Sequence, residues 1–232
     1  MRLIYGLCFV LGLLLAAAGM QVWGAAELRS HFNEIAFLTI VGGVWLAVAT
    51  KLFSWFGLSL RDDAVERKNW PALVALCGAV LAVAFMYIGG NLGEGPSYWN
   101  NFYSAGLATV SFFGFWLVLE IGANVSASVA EERDLASGLR LCGLLLAMGL
   151  VLGRAAAGDW HSAEATLRDF VRDGWFAGLL CAVAIFVERR LRPSRRHPFP
   201  AWRKAGLLPA ICYLVLAAAW LWNLGRWEGM SR

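Results

Sequence analysis

Three ionisable residues, Lys51, Glu120 and Arg140, fall inside long apolar stretches of this 232-residue chain. A charged side chain within a membrane is costly unless it is paired or hydrated, so these residues are the first candidates for a functional site. Glu120 is followed by ten uncharged residues, Ile121 to Ala130, which would draw it deeper into the apolar region. We therefore predict that Glu120 pairs with Arg140 or Lys51. The alternative is that all three side chains extend to the headgroups at the membrane surface.

A second group with binding chemistry is the basic segment that follows position 188. Glu188 is followed directly by Arg189 and Arg190, so we interpret it as a residue of the membrane interface. Each cation beside an anionic membrane surface contributes about 1 kcal/mol of attraction. The segment predicts contact with acidic lipid or an acidic protein partner, unless it is only the topological signal of a cytoplasmic loop. The residues predicted for this contact are Arg189, Arg190, Arg192, Arg195 and Arg196.

The residue types give little support for haem ligation, for known catalytic motifs or for metal binding. The three histidines lie in predicted loops, which excludes paired haem ligation inside the apolar stretches, and no HExxH, GxSxG or Walker-type motif occurs. Glu27, His31 and Glu34 would share one face of a helix and could hold a metal ion there, but the same spacing suits a solvated connector. We therefore predict no catalytic residue, no metal, no cofactor and no nucleic-acid partner.

The apolar stretches themselves predict an all-α fold, a polytopic transmembrane helical bundle. The chain is 59% hydrophobic and 16% charged, whereas a soluble domain is about 25% charged. Runs of about 20 apolar residues, enough for a helix to cross ~30 Å of hydrocarbon, recur along its length. The first run has features of a cleaved signal peptide, but we expect a retained span. The seven predicted spans are Leu3–Trp23, Ile35–Phe56, Trp70–Gly90, Phe102–Gly122, Leu135–Gly153, Phe170–Val187 and Ala205–Trp222.

Two predicted helical hairpins in the middle of the chain match each other at a constant spacing. The pairs 65 residues apart are Asn69 with Asp134, Cys77 with Cys142, Gly78 with Gly143 and Ala82 with Ala147. After the connecting loop the spacing becomes 68, as between Glu120 and Glu188. Because insertions are tolerated in loops, we predict two parallel hairpin repeats related by an axis along the membrane normal. The single membrane domain, 1–232, then comprises an N-terminal hairpin (1–58), two hairpin repeats (66–122 and 132–190) and a final span (203–224).

Small residues four positions apart predict where these helices pack. Such pairs let helix backbones approach closely in lipid, where apolar burial gives no drive for association. We expect the third and fifth spans to form the central pair. The residues predicted to pack there are Gly78, Ala82, Gly143, Ala147, Gly149 and Gly153.

The distribution of Lys and Arg predicts the orientation. Of the 20 such residues, twelve lie on the side of the N-terminus and six on the other, and the remaining two are Lys51 and Arg140. Loops rich in Lys and Arg stay in the cytoplasm. We therefore predict a bacterial inner-membrane protein with a cytoplasmic N-terminus and an external C-terminus.

The repeated segment also carries a family resemblance. Its motif elements are Asp134-Leu135-Ala136-Ser137, Cys142-Gly143, Ala147, Gly174 and Arg192-Pro193. This pattern resembles the YjfL-type family of small bacterial inner-membrane proteins, which show Asn-x-Ala-Ala, a Gly nine residues after the Asn, a Gly one turn later and a basic-Pro helix end. Here Asp134 or Asn69 takes the Asn position, and Ala147 or Ala82 takes that of the second Gly. The resemblance covers about Asn69 to Pro193 and implies an accessory membrane role without catalytic residues.

Two classes of function remain open from the sequence. The first is a non-enzymatic accessory or scaffold subunit that binds membrane lipid, a protein partner or a second copy of itself. The second is a small ion or solute carrier or channel lined by the intramembrane charges or by the polar stretch Asn100–Ser104. An integral-membrane enzyme ranks third, because no acid–base or nucleophile set is visible. A water-filled cavity that reaches Glu120 would favour transport, and a dry interior would favour the scaffold.

Overall fold

The computed structural model describes residues 1–193 and 201–225, and these residues form helices joined by short connections. Eight α-helices lie in this part of the chain: α1 (Arg2–Trp23), α2 (Ala26–Ser30), α3 (Phe32–Leu52), α4 (Trp70–Gly90), α5 (Tyr98–Ala123), α6 (Leu135–Ala156), α7 (Ala163–Leu191) and α8 (Leu208–Leu224). All except the short α2 belong to segments long and apolar enough to cross a membrane, seven among the described residues. The predicted all-α bundle of about seven spans is confirmed.

The long helices are arranged in two layers. In one layer α1, α4, α6 and α8 pack side by side in that order, and in the other α5 lies between α3 and α7. Neighbours within a layer run parallel. Gly12 and Gly19 of α1, for example, lie against Ala84 and Ile88 of α4 in the same order along both helices. We call the side where α1, α4 and α6 begin the basic side, because Arg2, Arg61, Arg133 and Arg189 lie there; the other is the opposite side.

The two most buried long helices, α4 and α6, make the most extensive contact in the bundle. A Cβ atom on Gly78 would lie 3.0 Å from Cα of Cys142, and one on Gly149 would lie 2.6 Å from Cα of Ala82. Near the opposite side, a Cβ on Gly89 would overlap the carbonyl oxygen of Gly153. The helices are therefore parallel, with Cys142 at the depth of Gly78, and their backbones touch along most of their length.

Two of the residues predicted for this contact, Ala147 and Gly143, lie in different surroundings. Ala147 is fully buried within α6. Gly143 faces away from α4: a Cβ atom there would lie 2.6 Å from Cα of Ala210, in α8. The expectation that Gly143 packs against the third span is therefore wrong. Positions 78 and 143 match in sequence, but each faces the next helix along the layer, because α6 lies beyond α4 and α8 lies beyond α6.

The same local structure precedes α4 and α6. A π-helical turn, Leu60–Glu66 or Ala127–Glu131, is followed by a residue with left-handed backbone, Lys68 (φ 52°) or Arg133 (φ 54°). The next residue then caps the helix. The side chain of Asn69 accepts a hydrogen bond from the backbone N–H of Ala72, which stabilises an otherwise unpaired donor of the first turn.

The cap of α6 has the same geometry 65 residues later. The side chain of Asp134 accepts from the backbone N–H groups of Ala136 and Ser137. Unlike Asp134, Asn69 also has an amide group, which donates to the carbonyl oxygens of Val129 (2.8 Å) and Ala130 (3.1 Å). It therefore joins the start of α4 to the turn that precedes α6.

Helix α7 is longer than the predicted span Phe170–Val187. It begins at Ala163, where the Ser162 hydroxyl caps it by accepting from the backbone N–H of Ala165. An ion pair one turn apart, Arg168 with Glu164 at 2.8 Å, supports this exposed first part of the helix. Hydropathy alone missed it because the segment is charged.

Candidate functional site

A buried ion pair joins α6 to α7 near the basic side. Arg140 and Glu188 are 2% and 3% exposed. Nε of Arg140 lies 2.6 Å from one carboxylate oxygen of Glu188, and an Nη lies 2.8 Å from the other. Such a two-point contact between guanidinium and carboxylate is the strongest geometry for this pair. It holds the two arms of the second hairpin at the same depth.

The remaining hydrogen-bonding groups around this pair are also engaged. The Ser137 hydroxyl accepts from Arg140 at 2.8 Å, and it lies 2.8 Å from a carboxylate oxygen of both Glu188 and Asp134. Arg140 also donates to the backbone carbonyl of Ala205, in the turn before α8. The network therefore connects α6, α7 and the start of α8.

The space beside this ion pair is small. A cavity of about 10 Å³, bordered by Arg140, Glu188 and Tyr213, lies next to it. One water molecule needs roughly 10–15 Å³, so the cavity holds one at most. In this state the ion pair can position helices, but it has no room to bind a solute.

The predicted pairing of Glu120 is wrong. Among the described residues its carboxylate forms no ion pair within 4.0 Å, and it accepts instead from the backbone N–H and the hydroxyl of Ser126. Arg140 pairs with Glu188 rather than with Glu120. The physical reason lies in the facing helix of each hairpin. The residue 65 positions before Arg140 is Ala75, so α4 has no cation at the position equivalent to Arg140.

The interpretation of Glu188 as a simple interface residue is also wrong. A sequence signal could have found its role: in an antiparallel hairpin, residues near the start of one helix face residues near the end of the next. Arg140 comes five residues after the first residue of α6, and Glu188 comes three before the last residue of α7. The two residues therefore lie at matching depths.

Lys51 belongs to a different site, on the surface of the basic side. It is exposed and, together with Arg2 and Arg61, lines a cavity of about 540 Å³ between α1, the end of α3 and the turn before α4. Arg61 is also 2.9 Å from Glu66, an exposed pair that contributes little stability. The cavity combines cations with apolar wall residues such as Leu60.

Three of the five basic residues predicted to contact lipid or a partner lie within the described residues. Arg189, Arg190 and Arg192 are exposed at the end of α7. Nε of Arg189 donates to the carbonyl of Gly122 at the end of α5 (2.6 Å), and Arg190 lies 5.0 Å from the ring centre of Phe186. Arg195 and Arg196 lie outside the described residues.

The acidic segment considered for a metal ion does not form one helix. The backbone breaks at His31, between α2 and α3, and the His31 ring lies 2.9 Å from the carbonyl of Glu27. Glu27 and Glu34 line an open cavity of about 620 Å³ together with Glu94. Within residues 1–193 and 201–225, no group of three His, Cys, Asp or Glu side chains could hold a metal ion.

Comparisons of the chain with protein families, with curated proteins and with solved structures found no match. Fold and composition nevertheless define the class: seven apolar helices make this an integral membrane protein. Its charged network is buried and closed, and its exposed charges are concentrated at the helix ends.

Proposed function

We propose that this protein is a non-enzymatic accessory or scaffold subunit of the bacterial inner membrane, which binds anionic lipid or an acidic partner on its basic side. The main observation in support of the proposal is the closed interior of the bundle. The central helices α4 and α6 touch backbone to backbone, and the space beside the buried Arg140–Glu188 pair is about 10 Å³. A carrier or channel needs a wet path, so this interior favours the scaffold.

The basic side supports the binding part of the proposal. Lys51, Arg2 and Arg61 surround a cavity with both charged and apolar walls, which matches a phosphate group attached to an acyl chain. Exposed Arg190 and Arg192 add positive charge at the end of α7 on the same side. The excess of Lys and Arg on this side supports a cytoplasmic location for it, with the N-terminus cytoplasmic and the C-terminus external.

We also propose that the two central hairpins arose as repeats of one unit. The parallel packing of α4 and α6 and the matching caps at Asn69 and Asp134 support this view. An accessory role is, in addition, what the resemblance to the YjfL-type family implies. A stack of similar hairpins buries its own small-residue faces and leaves its outer faces for partners.

The lipid part of the proposal is tested by native mass spectrometry of the full chain from gentle detergent. Delipidated protein is titrated with phosphatidylglycerol and with phosphatidylcholine of the same chains. We expect phosphatidylglycerol to bind more tightly, and Lys51→Gln to weaken it about fivefold, since one interfacial cation contributes about 1 kcal/mol. The control is Arg168→Gln, which removes an exposed cation from the opposite side and should change nothing.

The same preparation tests the partner part and the alternative function. Before delipidation, a stoichiometric acidic protein chain bound to the wild type would support the partner. Proteoliposomes are then assayed for ion leak, which we expect to equal that of protein-free vesicles. Equal binding of the two lipids with no bound partner, or an ion flux abolished by Glu188→Gln, would overturn the proposal.

A further inference from the structure

The cavity at Lys51 on the basic side has three hydroxyl groups among its walls. Thr50, Ser54 and Ser59 line it together with the cations and with apolar residues such as Leu60. These hydroxyls give the cavity a hydrogen-bonding capacity in addition to its positive charge. What they can bind depends on whether their hydrogens or only their lone pairs are left for an occupant.

The hydroxyl hydrogen of Thr50 is already used within the protein. Thr50 donates to the backbone carbonyl of Leu46 at 2.8 Å, since a carbonyl oxygen can only accept. The hydroxyl oxygens of Tyr5 and Thr50 are 2.6 Å apart, so Tyr5 must be the donor in that contact. The Thr50 oxygen therefore keeps one lone pair, and no hydrogen, for a ligand.

The hydroxyl hydrogens of Ser54 and Ser59 are used in the same way. Ser54 donates to the backbone carbonyl of Lys51 at 2.9 Å. Ser59 donates to a carboxylate oxygen of Asp62 at 2.9 Å and accepts from the backbone N–H of Asp62 at 3.1 Å. Like Thr50, both residues can therefore serve an occupant of the cavity as hydrogen-bond acceptors.

The cations of the cavity supply the opposite capacity. Lys51 and Arg2 form no ion pair in the part of the chain that the structure describes, whereas Arg61 lies 2.9 Å from Glu66. The N–H groups of Lys51 and Arg2 can only donate, and a phosphate can only accept. The cavity thus matches a molecule that combines a phosphate with O–H donors of its own.

We propose that the cavity at Lys51 selects phosphatidylglycerol among anionic lipids by the hydroxyls of its headgroup. The phosphate lies beside Lys51 and Arg2, the glycerol hydroxyls donate to the hydroxyl oxygens of the wall, and the start of an acyl chain lies against Leu60. This inference rests on the lipid binding proposed above for the same cavity, and it names the chemical feature that is recognised.

Other headgroups lack one half of this match. A fully ionised phosphatidic acid has a phosphate but no O–H donor. Phosphatidylethanolamine and phosphatidylcholine carry a cation, which would lie close to Lys51 and Arg2. Phosphatidylethanol has the same charge as phosphatidylglycerol but no headgroup hydroxyl, so it separates recognition of the hydroxyls from recognition of the charge.

The test is native mass spectrometry of the delipidated full chain, titrated with phosphatidylglycerol and with phosphatidylethanol of identical acyl chains. We expect phosphatidylglycerol to bind about fivefold more tightly to the wild type, which is the effect of about one net hydrogen bond. Soluble glycerophosphoglycerol should not compete, because it has no acyl chain to lie against the apolar wall.

Four variants distinguish the hydroxyls from the charge. Ser54→Ala removes an acceptor and should weaken phosphatidylglycerol binding about threefold without changing that of phosphatidylethanol. Ser54→Thr keeps the oxygen and should keep the preference, whereas Lys51→Gln should weaken both lipids equally. The matched control is Ser30→Ala on the opposite side. The Ser30 hydroxyl donates to the carbonyl of Glu27 at 2.7 Å, three residues earlier, as Ser54 does to Lys51, and its loss should change neither lipid.

Each variant is first checked for a single elution peak and a wild-type melting temperature. The comparison of the two lipids on the wild type remains decisive if a variant fails to fold. Equal binding of phosphatidylglycerol and phosphatidylethanol, equal weakening of both by Ser54→Ala, or competition by the soluble headgroup would overturn this inference and leave the proposed function standing. Equal binding of phosphatidylglycerol and phosphatidylcholine would overturn the lipid part of both.

Discussion

At the scale of single residues, the Arg140–Glu188 pair illustrates how a membrane interior tolerates charge. Both residues are almost fully buried, and the neighbouring hydroxyl of Ser137 and carbonyl of Ala205 satisfy further donors and acceptors. The desolvation cost of such a pair is large, and its net contribution to stability is small compared with the cost of breaking it. What the pair provides is a fixed register between α6 and α7.

This argument predicts an asymmetry between single and double substitutions. Arg140→Leu leaves the Glu188 carboxylate buried without its cation, and we expect it to lower the free energy of unfolding by about 3–5 kcal/mol. Arg140→Met combined with Glu188→Leu removes both charges and should recover most of that loss. The measurement is unfolding in detergent, followed by circular dichroism.

The matched control is Arg168→Leu, which breaks an exposed ion pair with Glu164 and should cost less than about 0.5 kcal/mol. If Arg140→Leu were as mild as this control, Glu188 would have to be hydrated or protonated in the folded protein. A double variant as unstable as the single one would show instead that the charges themselves stabilise the bundle.

At the scale of elements, the contact between α4 and α6 depends on the absence of side chains. Gly89 and Gly153 meet backbone to backbone near the opposite side, and Gly78 and Gly149 lie against residues of the facing helix. Lipid gives little hydrophobic drive for association, so close backbone approach and dispersion contacts hold these helices together. The pair forms the rigid centre on which the outer helices pack.

A single added methyl group should separate the two helices. In Gly89→Ala the new Cβ overlaps the carbonyl of Gly153, so a backbone must move, at a cost of about 1–3 kcal/mol. Gly114→Ala is the control: its Cβ in α5 meets nothing within 4 Å, and the gain in helix propensity should make it neutral or up to about 1 kcal/mol more stable. The measurement is the melting temperature of each variant compared with that of the wild type. Equal effects would mean that α4 and α6 do not approach so closely.

At the scale of the whole molecule, the described residues form a two-layer stack of three helical hairpins, each beginning on the basic side, and a final helix, α8. Helices α1, α4, α6 and α8 run one way, and α3, α5 and α7 return. The stack places the cavity at Lys51 on the basic side and two cavities at Arg154 on the opposite side. Each leaflet would then meet a surface of different charge.

The proposed orientation gives a prediction for the whole chain. Alkaline phosphatase, which is active only outside the cytoplasm, should be active when fused after Gly158 and inactive when fused after Glu131. Fusions to green fluorescent protein should give the reverse pattern. Activity after Glu131 would mean that the basic side faces outward, against the distribution of Lys and Arg.

The sequence by itself determined the helices, because apolar length and capping residues act locally. The span Trp70–Gly90 was predicted with the bounds observed, and the small residues at Gly78, Ala82, Gly149 and Gly153 were correctly placed on the central helices. Hydropathy depends on neighbouring residues in the chain, so it can be read from the sequence. The short α2, the first turn of α5 and the charged start of α7 were missed.

The tertiary structure alone decided which side chains meet. In the structure Arg140 pairs with Glu188 rather than with Glu120, and Lys51 lines a surface cavity. Gly143 faces α8, and Arg154 lies between an apolar and a polar cavity. Which two side chains contact each other depends on their depths along different helices and on the directions in which they face. That information becomes available only when the helices pack, since sequence spacing records the order of helices but not their neighbours in space.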